Sequence, residues 1–279
     1  MAKRKRITNV DKLIKEGRGS GQGPEYKPWI KIQDVPSLGR STRLKGIKTG
    51  RQHEFLSDME RNYFYFLEYS DLVFDIREQY PLLPLEETVL IAEELGISHP
   101  KHPQTGEYIV MTTDFLITKI QGKDMLEVAR TIKSKEDLLQ ERILEKFEIE
   151  KRYWSNRDVD WGIVTDIEID KDIAKNISYI HSYYDIRDVD SFKNIDSNDL
   201  KDLIFEYLRR IIDTKENIRK VSRIFDEDMA LDKGSGISIF KCLLARKIIA
   251  VDLKKSLDVD NYMDIKIIKN ELTMELNVL

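Results

Sequence analysis

The sequence has a single cysteine, Cys242, in 279 residues. A lone thiol excludes an internal disulfide and any cysteine-rich zinc site. Cys242 sits in an apolar helical pattern, IFKCLLA, where a buried, inert thiol is expected. No apolar run approaches the ~18 residues that a bilayer-spanning helix needs. The basic start MAKRKR has no hydrophobic segment behind it, so it does not read as a secretory signal and no membrane association is expected. A phosphate-binding loop is also missing. The glycines of GRGSGQG (17–23) lack the Gly-Lys-Ser/Thr ending, and no strand precedes them. Histidine is scarce, with 4 in the chain. His99 and His102 flank Pro100 and Pro103 without supporting carboxylates and read as loop residues. His53 is open to a role as ligand or base, with a plain loop histidine the leading reading. No internal repeat is visible. These absences point to a cytoplasmic protein.

What is present is a globular composition, 41% hydrophobic, on a chain long enough for two domains. The net charge of −4 hides an asymmetry. Residues 1–55 carry 14 Lys/Arg against 5 Asp/Glu, a balance of +9, and the remainder carries 32 against 45, a balance of −13. A basic end on an acidic body suits contact with a polyanion, and a solvated charged tail suits it equally.

Patterning divides the chain into three parts. Residues 1–25 read as a basic flexible arm, with Lys3–Arg6 basic, a helical turn or two at 11–15, and the flexible GRGSGQG. Pro36, Gly39, Gly46 and Gly50 punctuate a turn-rich stretch, and Thr49-Gly50 suits a hairpin. Ser57 is an N-cap with Glu60 three residues on, which makes a capping box, and Leu56, Met59, Tyr63, Phe66 and Leu67 recur at helical spacing. Strands are expected at 72–79, 108–118, 125–132 and 161–166. A short helix is expected at 86–95 and a long one at 135–155, striped by Leu139, Ile143, Phe147, Glu150 and Trp154. Strand–helix–strand at this spacing implies a parallel crossover. Residues 26–169 therefore form an α/β domain. Residues 170–279 read as mainly helical (171–183, 198–213, 215–226, 236–247), with 248–253 and 264–268 pairing as a wing, a winged-helix-like interaction domain. Its candidate recognition helix offers only Lys241, Arg246 and Lys247, which suits protein binding better than DNA binding. Trp29, Trp154 and Trp161 read as core.

Phosphodiester hydrolysis needs carboxylates that hold Mg²⁺ and a cation near the phosphate or the attacking water. The parts stand here in order. Glu60 is on the first long helix, Asp114 interrupts the apolar strand TTDFLIT, and Lys133 ends the next strand, joined to the first by a turn at 121–124. An unpaired carboxylate inside an apolar strand is costly unless a metal or cation meets it. On spacing alone, plain roles stand ahead: a helix cap, a strand-end salt bridge and a snorkelling lysine.

The blocks GRGSGQGPEYKPW (17–29), DVPSLGRSTR (34–43), KTGRQHEFLSDME (48–60), DIREQYPLLP (75–84), MTTDFLI (111–117), ERILEKFEIEKRYW (141–154) and TDIEI (165–169) change that balance. In order and spacing they resemble the TnsA family, endonuclease subunits of heteromeric cut-and-paste transposases. The resemblance implies a restriction-endonuclease-like fold and an enzyme that cuts the 5′ strands at transposon ends. It implies Mg²⁺, with Mn²⁺ as a substitute, held by Glu60 and Asp114, and Lys133 as the catalytic cation. It further implies transposon-end DNA, an integrase-type (TnsB-like) transposase and an ATPase regulator (TnsC-like) as partners, the last through the C-terminal domain, in a nucleoid-associated assembly. One position departs from the pattern. Two residues before the lysine the family carries Gln, and most related nucleases carry Asp or Glu, where this chain has Thr131. Either a backbone carbonyl and water serve there, Thr131 itself contributes to catalysis and metal binding, or the site is impaired; Glu127, on the same strand face, is a possible substitute. Arg40, Arg43, Lys45, Lys48 and Arg51 are candidate phosphate contacts. The competing readings are a stand-alone restriction or repair endonuclease and a DNA-end scaffold that has lost metal binding.

Overall fold

Apolar residues that alternate along 73–132 build a central sheet, and those recurring at helical spacing cover it. The computed structural model describes residues 10–35, 40–212 and 214–268. Lys3–Arg6, Pro36 and Gly39 lie outside the described residues. The chain divides after Asp170 into two compact units.

The first unit runs through α1 (Val10–Lys15), β1 (Thr42–Lys45), β2 (Gln52–Phe55), α2 (Asp58–Tyr69), β3 (Val73–Pro81), α3 (Leu85–Glu94), β4 (Thr112–Gln121), β5 (Asp124–Ile132), α4 (Glu141–Ser155) and β6 (Asp160–Val164). β1 and β2 form an antiparallel hairpin. The main sheet has the order β3-β4-β5-β6. Its first three strands are antiparallel, with β4 and β5 joined by a tight turn in which Gly122 takes a left-handed φ of 65°. β6 returns parallel to β5 after α4, the crossover that the strand–helix–strand pattern implies. Each face of the sheet is apolar. Phe115, Ile117, Val128 and Ile132 pack with Phe55, Phe64 and Leu67 on the side of α2. Leu116 and Ala129 pack with Ile91, Ile149, Tyr153 and Trp154 on the side of α3 and α4.

Of the boundaries that differ from the sequence expectation, three have a clear physical reason. β4 begins at Thr112 rather than 108, because Tyr108 is taken by an isolated bridge to Lys101. β3 runs on through Pro81, which pairs with Thr112. α4 begins at Glu141, because Ser134 Oγ accepts the Asp137 N–H and the chain makes a 3-10 turn at Asp137–Leu139 first.

Residues 10–25, the described part of the expected flexible arm of 1–25, are also packed against the domain. Leu13 and Trp29 are buried with Val110, and the Tyr26 hydroxyl donates to the Glu78 carbonyl at 3.0 Å. Arg18 is buried, donating to the Trp29 carbonyl and paired with Asp34 and Glu16. Two glycines of GRGSGQG, Gly19 and Gly21, serve close packing. A Cβ on Gly19, whose φ is +74°, would stand 2.2 Å from Pro81 Cγ. Part of the basic charge of this end is thus internal.

The second unit holds α5 (Lys171–His181), α6 (Ser197–Ile211), α7 (Ile218–Asp228) and α8 (Ser235–Ala245). A two-residue antiparallel ladder follows between β7 (Ile249–Ala250) and β8 (Lys266–Ile267). Phe192, Tyr207, Phe225 and Phe240 are fully buried. Asp226 accepts the backbone N–H groups of Gly234 and Gly236, both at 2.7 Å, and so caps α8, which has no side-chain cap of its own. Lys241, expected on a recognition surface, is buried with its ammonium over the rings of Tyr179 and Tyr183. Arg246 donates to the Tyr184 carbonyl. Cys242 is buried, and burial pushes its thiol up to about 11.

Candidate active site

Strict alternation would put Ile76, Glu78 and Tyr80 on one face of β3. Ile76 does pack with Phe55 and Phe64. Tyr80 instead meets Trp154, with ring centroids 5.7 Å apart, on the opposite face. The switch falls at Gln79, a buried non-glycine residue with φ +49°. β4 switches at the facing residue. Phe115 and Ile117 lie on the α2 side, while Thr113 donates to Glu150 at 2.6 Å and accepts from Trp154 Nε1 at 2.7 Å. Gln79 and Asp114 drop out of the ladder between the pairs Glu78↔Phe115 and Tyr80↔Thr113. Their side chains are thereby freed from both packed faces.

Glu60 reaches the same place from the first turn of α2. The Ser57 hydroxyl accepts the Glu60 N–H at 3.1 Å and donates back to its carboxylate at 2.8 Å. The carboxylate also accepts the Leu56 N–H at 3.0 Å, so this capping box closes one residue further out than usual. Asp114 accepts the Ile132 N–H at 2.7 Å. The Gln79 amide donates to both acids, at 3.2 Å to Asp114 and 3.4 Å to Glu60. Burial, and then repulsion from Asp114, pushes the Glu60 carboxyl well above its ordinary range. Burial raises Asp114 against the opposing effects of the Ile132 N–H, Gln79 and Lys133.

Glu60, Asp114, Thr131 and Lys133 all line one cleft of about 360 Å³. Lys133 is half-exposed and pairs with Asp137 at 3.5 Å. The cleft has a further acid, Glu150 of α4. One Glu150 oxygen accepts from Thr113, from Thr131 and, at 3.0 Å, from Trp161 Nε1. Burial raises Glu150 to about 7. The Thr131 hydroxyl is therefore committed to holding an acid that comes from the helix. In the sequence Glu150 falls in the apolar stripe of α4. The missed signal was a carboxylate in a buried stripe, which is costly without partners.

Several other sequence expectations fall elsewhere. Glu127 pairs with Arg77 and sits opposite Thr118, away from the cleft. Arg51 cannot serve as a phosphate contact. Its guanidinium is buried against Glu78 and donates to the Ile76 carbonyl at 2.9 Å. His53 is neither ligand nor loop residue. It is fully buried on β2, between Glu78 at 2.8 Å and the Thr49 hydroxyl at 2.7 Å. Burial alone would raise Glu78, but His53 and Arg51 hold it down at about 2. The alternation of β1 keeps Arg43 and Lys45 on the exposed side, Arg43 pairing with Glu54 at 3.1 Å; Arg40 is exposed and Lys48 half-buried. Trp29 and Trp154 are core, while Trp161 is half-buried. His99 is buried, bonded to Thr88 and the Pro100 carbonyl, and His102 accepts backbone N–H groups in its loop.

Among the described residues, no three His, Cys, Asp or Glu side chains converge as a ready metal cluster. The donor set is that of a two-carboxylate site. Two repelling carboxylates, both raised by burial, beside an open cleft fit a hard divalent cation whose other ligands are water and phosphate oxygens.

Two family models match the chain: TnsA-like endonuclease N terminal over residues 70–166, and TnsA endonuclease C terminal over residues 168–253. The chain is also similar to the transposon Tn7 transposition protein TnsA of Escherichia coli. The two are 37% identical over 258 residues, which cover 92% of this chain and 90% of that protein.

Proposed function

From the premise that the chain belongs to the TnsA family of transposition endonucleases, we propose that it is the subunit that hydrolyses the 5′ strands at transposon ends. In this reading Glu60 and Asp114 hold Mg²⁺, for which Mn²⁺ substitutes. The observation that carries it is the meeting of Glu60, Asp114 and Lys133 in one cleft. When bound, the ion supplies Lewis-acid polarisation of the scissile phosphate and a more acidic water. The protein's own groups do the rest. Glu60 and Asp114 are oriented by the Leu56 and Ile132 N–H groups. Lys133 leaves Asp137 to offset charge on the phosphorane and to orient the attacking water. Thr131 acts through Glu150, which it helps hold at the cleft wall as a further acid.

Arg40, Arg43, Lys45 and Lys48 are the proposed phosphate contacts on the DNA. The partners are transposon-end DNA, an integrase-type transposase and an ATPase regulator. We assign the regulator to the second unit, read as winged-helix-like. The position of Lys241 inside an aromatic cage supports a protein-binding rather than DNA-reading role for its helix. The test is to assay each strand of transposon-end DNA with the chain, its partner transposase and Mg²⁺. Asp114→Asn is expected to leave the 3′ strand cut and the 5′ strand intact. A variant that cuts the 5′ strand at the wild-type rate would remove the assignment, and cutting by the chain alone would favour a stand-alone nuclease.

A further inference from the structure

We propose that Gln79 is the positioning residue of the acidic pair: its carboxamide holds the Glu60 and Asp114 carboxylates spaced and aimed for a divalent cation. The inference rests on the metal-site reading above. Each acid has its own backbone donor, Leu56 N–H for Glu60 and Ile132 N–H for Asp114, which ties it to its own element. Gln79 ties the two acids to each other, with Nε2 3.4 Å from Glu60 and 3.2 Å from Asp114. The Thr112 hydroxyl donates to Gln79 Oε1 at 3.3 Å, which turns the NH₂ end toward the acids.

The residue type fits this task. A primary amide has two N–H donors and no charge, so it can satisfy an oxygen of each carboxylate at once. A lysine or arginine there would neutralise the pair and compete with the cation. A third acid would add repulsion. The backbone is equally committed. Gln79 holds φ +49°, a region that glycine enters freely and other residues rarely do, and its carbonyl accepts the Trp29 N–H at 3.2 Å. Next to it, Glu78 is locked by Arg51 and His53. A side chain kept where glycine would fit the backbone better indicates that the side chain itself contributes.

The experiment is calorimetric titration of the full chain with Mn²⁺ alone, for wild type, Gln79→Leu, Gln79→Gly and Asp114→Asn. The leucine variant keeps bulk and loses the amide. The glycine variant loses the amide while easing the backbone, so it reports even where the leucine variant does not fold. Both are expected to weaken Mn²⁺ roughly ten- to a hundredfold, as for other groups that orient metal ligands. Wild-type affinity in Gln79→Gly would overturn the inference whatever the leucine variant does, because it would reduce Gln79 to a backbone role. Wild-type affinity in Asp114→Asn, or no Mn²⁺ binding by the wild type, would overturn the metal-site reading itself, and the inference with it.

Discussion

Replacing Glu150 with Gln should make the metal-free protein more stable at pH 8 than at pH 5 relative to wild type, by about 3 kcal/mol. Glu150 is buried, and its carboxyl moves from 4.5 to about 7 on folding. At about 1.4 kcal/mol per unit, that gap is worth about 3 kcal/mol. The sign follows from proton counts. Between pH 4.5 and about 7 the unfolded chain loses this proton while the folded chain keeps it, so stability falls as pH rises, and it levels off above about 7. Gln cannot ionise, and its carbonyl can keep all three donors, because Thr113, Thr131 and Trp161 all reach the same Glu150 oxygen. Glu60 and Asp114 titrate in both proteins and largely cancel in the difference. The assay is urea unfolding in EDTA at pH 5, 6, 7 and 8. A difference between the two proteins that does not change with pH would refute the reasoning. Such a result would mean that Glu150 is ionised in the folded state throughout.

Two further outcomes separate buried from exposed basic residues. Arg51→Met takes the guanidinium from the fully buried Glu78 carboxylate, which keeps His53, and should cost about 3 kcal/mol in urea unfolding; an unchanged midpoint would remove the ion pair as a structural element. Lys45→Ala, on the exposed side of β1, should leave stability within about 0.5 kcal/mol and lower the salt slope of DNA binding by about 1. An unchanged slope would take Lys45 out of the DNA contacts.

Much of the architecture is legible from pattern alone. The apolar period of 2 locates β3, β4 and β5, and the short Gly122 turn makes β4 and β5 a hairpin. The helical spacing of Ile143, Phe147 and Trp154 locates the crossover helix that forces β6 to lie parallel to β5. Ser57 and Glu60 mark the start of α2 through local hydrogen bonding. These features depend on neighbours within a few residues, so composition and spacing suffice to reveal them.

Other features depend on groups brought together from distant parts of the chain. Charge counting could not separate Arg18 and Arg51, whose partners lie 16 and 27 residues away, from exposed Lys45. Nor could it show that Gly19 packs against Pro81. The chemistry depends most on such a feature. Sequence by itself determined that an acid on a helix, an acid in a strand and a strand-end lysine occur in this order. Only the tertiary structure decided that Asp114 leaves its strand face, that Gln79 bridges it to Glu60, and that Thr131 serves Glu150. Alternation assigns a residue to a face only while the ladder is regular. At Gln79 and Asp114 the ladder is interrupted, and packing on both faces of the sheet determines where those side chains go.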